Sequence, residues 1–530
     1  MPREIDSDVE VEIDLGLDEP DDEASLRARV ASILRARADE LPPVEVRRRA
    51  IDARRGRVRF HLTIGFAPAT AAPLASPDPR DVAGDPVIVV GAGPAGLFCA
   101  YELARAGIAS IVLDRGKDVQ ARRRDLKGLT QHGTVDPDSN YCFGEGGAGT
   151  YSDGKLYTRS HKRGDVRDVL EILALHGAPP AILVDARPHI GSNKLPKVIT
   201  AMRERLEARS VVFRFGARVT AILVDETRRA RGVRLADGRE LTGRAVVIAT
   251  GHSARDVHGI LAAAGARLER KPFAVGVRVE HPQPYVDRTQ YGRAAGHPKL
   301  RAAAYRLAYT PPGGRGVFSV CMCPGGWVVP AATEQDGVVV NGMSLSRRDS
   351  PYANSGIVIA IEDVDLVAAG LDALGVTAGV ELQRRLERAA REAGGGMLRA
   401  PATRVTDFVH GRASTTVPAC SYEPGLTATD VGAVLAAAGP SLDLPGKLRD
   451  ALGVFDRQMR GFVSDEAVLI GVESRTSSPV RVPRDPSTLE SPDVLALYPT
   501  GEGAGYAGGI VSAALDGMRV ARAIAAGNAK

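Results

Sequence analysis

The apolar positions along this chain recur with changing period, and each change marks an element. The densest run is Val87–Val90, four successive β-branched residues. That is the composition of a strand buried on both faces. Pro94–Ala106 then has helical spacing and stops at Gly107, and Ala109–Leu113 is a second apolar strand. Asp165–His176 and Lys194–Ala208 are again helical. Val211–Phe215 reads as a strand. A meander over Ala217–Val224, Ala230–Leu235 and Glu240–Leu241 follows it, with Ala236–Glu240 supplying a turn. Ala245–Ala249 is another buried strand. Upstream, Val9–Leu15 alternates with period two and Glu23–Arg37 has helical spacing behind an acidic start. Val44–Ile51 and Arg57–Gly65 read as strands, so residues 1–68 predict a small βαββ module. Residues 69–85 fall in an aperiodic stretch rich in Ala, Pro and Asp, which predicts a linker.

Around Arg270 the character changes. Phe273–Val279 alternates, Pro282–Arg315 is rich in Pro and Gly, and strand-like runs follow at Gly316–Met322, Trp327–Pro330 and Gly337–Met343. Thr377–Ala393 is helical. The final segment returns to the first style, with a strand at Val494–Tyr498, a glycine turn and a helix over Ile510–Ala525. The pattern predicts an α/β nucleotide-binding domain in two parts, residues 86–269 and 480–530. An α+β substrate or cap domain, residues 270–479, is inserted between them.

Composition changes this picture little. The 530 residues are enough for two or three domains. The formal charge of +5 and pI near 8.9 come from an excess of Arg spread among acids rather than from a basic block. Solvated faces are therefore expected, and nucleic acid is not an expected partner. Five scattered cysteines without a CxxC pair argue against a disulfide scaffold and against a zinc site. No metal is expected. The N-terminal residues lack an apolar signal core, and no apolar run reaches the ~20 residues needed to span a bilayer. The expectation is a cytoplasmic protein with no membrane partner. Oligomeric state is not specified.

The chemistry concentrates in glycine turns. Gly91, Gly93 and Gly96 stand in GxGxxG spacing between the strand at Val87–Val90 and the helix that begins Pro94-Ala95. Gly91 permits the tight turn, Gly93 lets backbone approach a diphosphate, and Gly96 lets helix pack on strand. The helix N-terminus favours phosphate. Asp114, 23 residues after Gly91, is placed to accept hydrogen bonds from an adenosine ribose, with Arg115 beside it. A GxGxxG with its strand, helix and distal acid is a strong signal. A second glycine cluster, Gly146, Gly147, Ala148 and Gly149 followed by Ser152 and Lys155, lacks that frame. It is either a loop whose backbone approaches something flat or anionic, or merely flexible. Asp153 and Lys155 are equally readable as a surface pair or as a cofactor contact. Thr250 and Gly251, Val219 in the meander, and the closing turn with Glu502, Gly503, Gly508, Gly509 and Ile510 complete the candidate cofactor set.

GAGPAG with Asp114, the Ala249-Thr250-Gly251 strand end and the Gly501-Glu502-Gly503 turn together resemble the glutathione-reductase-like FAD superfamily. The segments Ser139–Arg159, ATGHSARDV, FSVCMCPGGWVVPA, GVESRTSSPVRVPRD and LYPTGEGAGYAGG resemble, more closely, a family of bacterial and plastid FAD-dependent dehydrogenases. The N-terminal RRRAIDARRG resembles that family's βαββ domain. The resemblance spans nearly the whole chain. It implies FAD, with Glu502 near the ribityl or diphosphate and the helix at Ile510 near the flavin pyrimidine.

The implied function is an FAD-dependent oxidoreductase moving a hydride between flavin N5 and an unidentified small molecule, with anionic molecules among the candidates. A flavin monooxygenase and an FAD-holding RNA- or protein-binding protein are the alternatives. The chain lacks the GDAAH-like turn usual in flavin hydroxylases, and it carries no RNA signature. No second strand–GxGxxG–helix unit lies between Thr250 and Tyr498, so NAD(P)H is expected only as a transient electron donor. Catalytic residues are not fixed by the pattern. The weak candidates are Cys323, Arg475 and Arg481. Cys321 and Cys323, two apart on a strand, would share a face and either line a cavity or fill the core. Arg475 and Arg481 would clamp a substrate carboxylate or form an interdomain ion pair. His132 and His252 are read as hydrogen-bonded structural residues.

Overall fold

The computed structural model describes residues 9–66, 78–158 and 164–527. The first eight residues, most of the expected linker and Arg159 lie outside them. The architecture is mixed α/β. Its centre is a five-stranded parallel sheet in the order Leu497–Pro499, Ala245–Ile248, Ala83–Val90, Ile108–Leu113, Val212–Arg214. Val87, Ile88 and Val89 are fully buried, which is why this strand needs no polar face. The helices Pro94–Arg105 and Ile510–Gly527 pack on each other closely enough that a Cβ on Gly517 would strike the Ala95 carbonyl. The meander forms an antiparallel sheet of its own, Val219–Val224, Ala230–Leu235 and Glu240–Thr242.

The chain then leaves for a seven-stranded sheet. Its order is Ala308–Tyr309, Val317–Cys323, Tyr352–Ile361, Phe273–Pro282, Val468–Glu473, Ala400–Arg404, Leu426–Ala428. All neighbours are antiparallel except the last pair. A hairpin, Gly326–Pro330 with Val340–Ser344, stands beside it, and helices Ala378–Gly394 and Leu444–Gln458 pack on it. The outgoing and returning chains run side by side, Glu269 opposite Arg481 and Arg270 opposite Val480.

The N-terminal module is an antiparallel sheet in the order Val11–Gly16, Arg59–Phe66, Val44–Asp52, with one helix, Glu23–Leu34. Asp22 caps that helix by accepting from the Ser25 N–H. The module docks through Arg49, whose backbone exchanges hydrogen bonds with Val184 and Ala186, and through Lys299 on Asp21 at 3.3 Å.

Several elements escape the sequence pattern, and two show why. Residues 119–132, within a stretch that reads only as polar, form a helix whose buried face is Val119, Arg122, Leu126 and Leu129. The central strand Tyr352–Ile361 is buried on both faces, so the Asn354-Ser355-Gly356 step inside it gave no alternation to detect.

Candidate functional site

A cleft of about 420 Å³ opens where the central parallel strands end. That is the position at which open α/β sheets hold ligands. Gly91, with φ +106°, turns the chain there, and a Cβ on it would collide with the Ala249 carbonyl. Gly96 is likewise demanded by the protein, since its Cβ would overlap the Gly91 carbonyl. Gly93 and Gly508 are different. Both have ordinary φ, a Cβ on Gly93 would meet only Gly147 Cα at 3.8 Å, and one on Gly508 would meet nothing within 4 Å. Their missing side chains are explained by the cleft they face, not by the fold. Gly93 caps the helix Pro94–Arg105, so that helix opens its N-terminus into the same space.

Asp114 organises the floor. Its buried carboxylate accepts backbone N–H groups from Ala92 (2.8 Å), Gly116 (2.8 Å) and Gly144 (2.9 Å). A carboxylate has about four lone-pair sites, so one remains for a ligand hydroxyl. Arg122 organises the second glycine loop. It is fully buried and donates to the carbonyls of Asn140, Tyr141, Glu145 and Gly147 at 2.8–2.9 Å. Burial holds its pKa below the usual arginine range. Gly146 donates its N–H to the Ala92 carbonyl at 2.9 Å, which lays this loop directly on the first turn. The loop is therefore held in place rather than flexible.

The inserted domain supplies the opposite wall. Asp153 is buried and bound by Arg348 at 2.6 and 3.0 Å and by the Ser344 hydroxyl, so it is no surface residue. Burial opposes its charge, but Lys155 and Arg348 outweigh that and depress its pKa. Lys155 lines the cleft with Nζ 3.5 Å from Cys323 Sγ. Glu473 lines it too, bonded at 2.8 Å to the fully buried Arg278. Arg475 reaches the lining but is engaged by Glu387 at 2.8 and 3.0 Å. Glu387 also binds Arg255 of the first domain at 2.7 and 3.0 Å. Arg475 thus belongs to an interdomain ion-pair network and is not free to clamp a substrate.

Two expectations are corrected here. Cys321 and Cys323 do not share a face, because the strand is bulged after Val320 and Cys321 takes φ +44°. Cys321 lines the cleft, whereas Cys323 is buried behind it, with Lys155 Nζ at 3.5 Å and the Cys321 carbonyl at 3.2 Å from its sulfur. Arg481 lies outside the cleft, with its guanidinium 5.6 Å from the Tyr506 ring.

The closing turn places Glu502, Gly508, Gly509 and Ile510 on the lining. The Glu502 carboxylate has His252 Nδ1 at 3.4 Å as its contact. Asp516, paired with Arg484 at 2.6 Å, accepts the Gly501 N–H at 2.7 Å and fixes the turn from behind.

Of the expected cofactor set, Gly91, Gly93, Pro94, Ala95, Asp114, Arg115, Gly147, Ala148, Gly149, Ser152, Lys155, Val219, Thr250 and Gly251 also line the cleft. Gly96, Gly146 and Gly503 do not. A Cβ on Gly146 would strike Thr150 Oγ1, and one on Gly503 would sit 2.5 Å from the Gly251 carbonyl. They are glycines of close packing. Sequence reasoning missed Tyr141, Asn341 and Glu473 on the lining, and Arg122 beneath it. Among the described residues no group of His, Cys, Asp and Glu is arranged to hold a metal ion, and no helix is long and apolar enough to cross a membrane.

A family model described as "FAD-dependent protein, C-terminal domain-like" matches residues 272–476, and an FAD binding domain model matches residues 85–135. A domain of unknown function matches residues 7–67. An uncharacterized protein of Clostridium beijerinckii is 37% identical over 537 residues, covering 97% of each chain. The chain belongs to this family of FAD-dependent proteins. More distant likenesses join the FAD-dependent protein to solved structures. They include CtdE in complex with FAD (12% identity, 84% of each chain, TM-score 0.34). They also include a triple mutant of the flavin-dependent brominase Bmp2 (11% identity, 84% and 81% covered, TM-score 0.35). At these TM-scores neither bears on the reaction.

Proposed function

We propose that the protein is an FAD-dependent oxidoreductase that transfers a hydride between flavin N5 and a small organic molecule. One observation carries this reading. Gly93 and Gly508 lack side chains for no reason internal to the fold, and both edge a cleft that receives the N-termini of the Pro94–Arg105 and Ile510–Gly527 helices. Such a cradle fits a long, flat, diphosphate-bearing ligand. The first helix N-terminus holds the diphosphate, and the spare lone pair of Asp114 takes a ribose hydroxyl. Glu502 faces the middle of the cofactor. The second helix N-terminus stabilises negative charge at the pyrimidine end. When bound, FAD supplies the two-electron chemistry, and the protein orients it and excludes water. The five parallel strands with a three-stranded crossover are in keeping with a glutathione-reductase-type arrangement.

NAD(P)H acts, on this reading, only by transient docking. The insert's sheet is antiparallel but for one short pair, and it offers no second parallel nucleotide fold among the described residues. Anaerobic photoreduction of the FAD-loaded protein, followed by a screen of organic acceptors, tests the proposal. Reoxidation by an acceptor without oxygen is expected. A product that carries oxygen from O₂ would make the protein a monooxygenase instead. Rapid-mixing reduction that saturates at micromolar NADPH would overturn transient docking.

A further inference from the structure

We infer that the insert-side end of the cleft is an anion subsite, in which Lys155 and Asn341 receive the carboxylate of a small organic acid. The inference rests on the FAD reading and names the substrate class for it.

The charges on the cleft lining can be taken one by one. Asp114 already accepts three N–H donors. Arg115 is paired with Asp256 at 2.6 Å, Glu473 with Arg278 at 2.8 Å, and Arg475 with Glu387 at 2.8 Å. Asp153 is claimed by Arg348 at 2.6 Å. Glu502 touches His252. Lys155 alone among these has no carboxylate of its own. Its nearest is the already engaged Asp153, at 3.7 Å, and its one close polar neighbour is the Cys323 sulfur at 3.5 Å. A thiol is a weak acceptor, so an ammonium with three N–H donors stands short of partners.

Lys155 is charged at neutral pH. Burial opposes the charge, but Cys323 and Asp153 outweigh it and raise its pKa. With Cys323 as a neutral thiol, the Lys155, Asp153 and Arg348 group carries one net positive charge on the substrate side. Asn341 lines the same cleft. Its Oδ1 already accepts from Arg278 at 3.3 Å and from the Gly342 N–H at 2.7 Å, which leaves its NH₂ group to offer. A compact cation and an amide donor on one cleft lining suit a carboxylate. The contacts of Lys155 are with the insert's Cys323, not with the first glycine turn, which sets it apart from the diphosphate cradle.

The test uses the FAD-loaded protein and follows the flavin absorbance during titration. Acetate, benzoate and succinate are the probes, and acetamide, benzamide and succinamide are their uncharged counterparts. At least one carboxylate is expected to shift the spectrum saturably, with its amide binding about tenfold more weakly or worse. Lys155→Met should weaken that carboxylate about tenfold or more at unchanged FAD content, and Lys155→Arg should restore most of the binding. The proposal is overturned if no carboxylate saturates, if Lys155→Met binds like the parent, or if Lys155→Met loses FAD, which would make Lys155 a cofactor residue. Failure of the FAD reading is separate and comes first, as a parent protein that takes up no stoichiometric FAD.

Discussion

The two walls of the cleft are built by different means. The nucleotide-binding domain makes its wall from backbone. Gly91, Gly93, Gly147, Gly149 and Gly251 bring main chain to the surface of the cleft, and two helix N-termini point into it. The insert makes its wall from charged side chains held in pairs, Glu473 with Arg278 and Arg475 with Glu387, and its Arg348 reaches across to pair with Asp153 of the first domain. A backbone wall suits a ligand whose shape and phosphates are constant. A side-chain wall can be retuned one residue at a time, as a substrate wall must be. The difference also sets what each wall tolerates. The first should lose ligand when a side chain is added, and the second should lose stability when a charge is removed.

The largest effect is expected from Glu387→Ala. Glu387 is buried and accepts from Arg475, Arg255 and the Ser474 hydroxyl, so its loss leaves the buried Arg475 without a carboxylate and Arg255 with Glu334 and Gln383 alone. Breaking a buried pair in this way costs about 3–5 kcal/mol. The cost should appear as a lower urea midpoint for the transition that includes the insert, followed by Trp327 fluorescence. The pH dependence has a definite sign. Burial raises the Glu387 pKa, but Arg475 and Arg255 outweigh it and hold it well below the ordinary carboxylate value. Its contribution is therefore complete above the unfolded pKa and is lost as pH falls through the lower folded value. The parent should lose its stability advantage over Glu387→Ala only under strongly acid conditions. A variant that unfolds like the parent at pH 7 would show that the network is not what joins the two walls.

What the sequence disclosed follows the same division. A glycine that must admit a ligand or a turn leaves a visible residue type at a fixed spacing, so Gly91, Gly93, Asp114 and Glu502 were legible. A buried ion pair leaves none. Arg122 sits among three consecutive arginines and reads as solvated, although four carbonyls hold it in the interior. Glu473 and Arg278 are 195 positions apart, and only the antiparallel pairing of their strands joins them. Cys321 was misread because a bulge breaks the period of two on which the same-face argument depended.

A matched pair of substitutions sharpens the comparison within the backbone wall. Gly96→Val places a Cβ on the Gly91 carbonyl, so the βα turn itself must move. A loss of about 3 kcal/mol in the stability of the apo-protein is expected. Gly93→Val meets only Gly147 Cα at 3.8 Å and projects into the cleft. It should alter apo stability by about 1 kcal/mol or less, because only the helix cap changes. FAD affinity should fall by about 100-fold, or roughly 2.7 kcal/mol. Thermal melts of the apo-proteins and FAD titrations separate the two. A Gly93→Val protein that keeps stoichiometric FAD at parental affinity would remove the diphosphate from this turn.

The smallest effect concerns Glu502, the side chain that the proposal sets near the middle of the cofactor. Glu502 has little to do for the fold. The turn that carries it is fixed by the Gly501 N–H on Asp516 at 2.7 Å, by the Gly505 N–H on the Glu502 carbonyl at 3.0 Å, and by the tight seat of Gly503 against Gly251. Its carboxylate has only His252, at 3.4 Å. Glu502→Ala should therefore leave the apo-protein's melting temperature within error of the parent. Removing a charged acceptor from a closed site costs about 1–3 kcal/mol, so FAD should bind roughly tenfold to 100-fold more weakly. Glu502→Gln keeps an acceptor and should recover part of that loss. If both variants bind FAD like the parent, Glu502 does not contact the cofactor, and this wall holds FAD through main chain and Asp114. If both lose stability before they lose FAD, the carboxylate serves the turn after all, and the division between the two walls is less sharp than the geometry makes it.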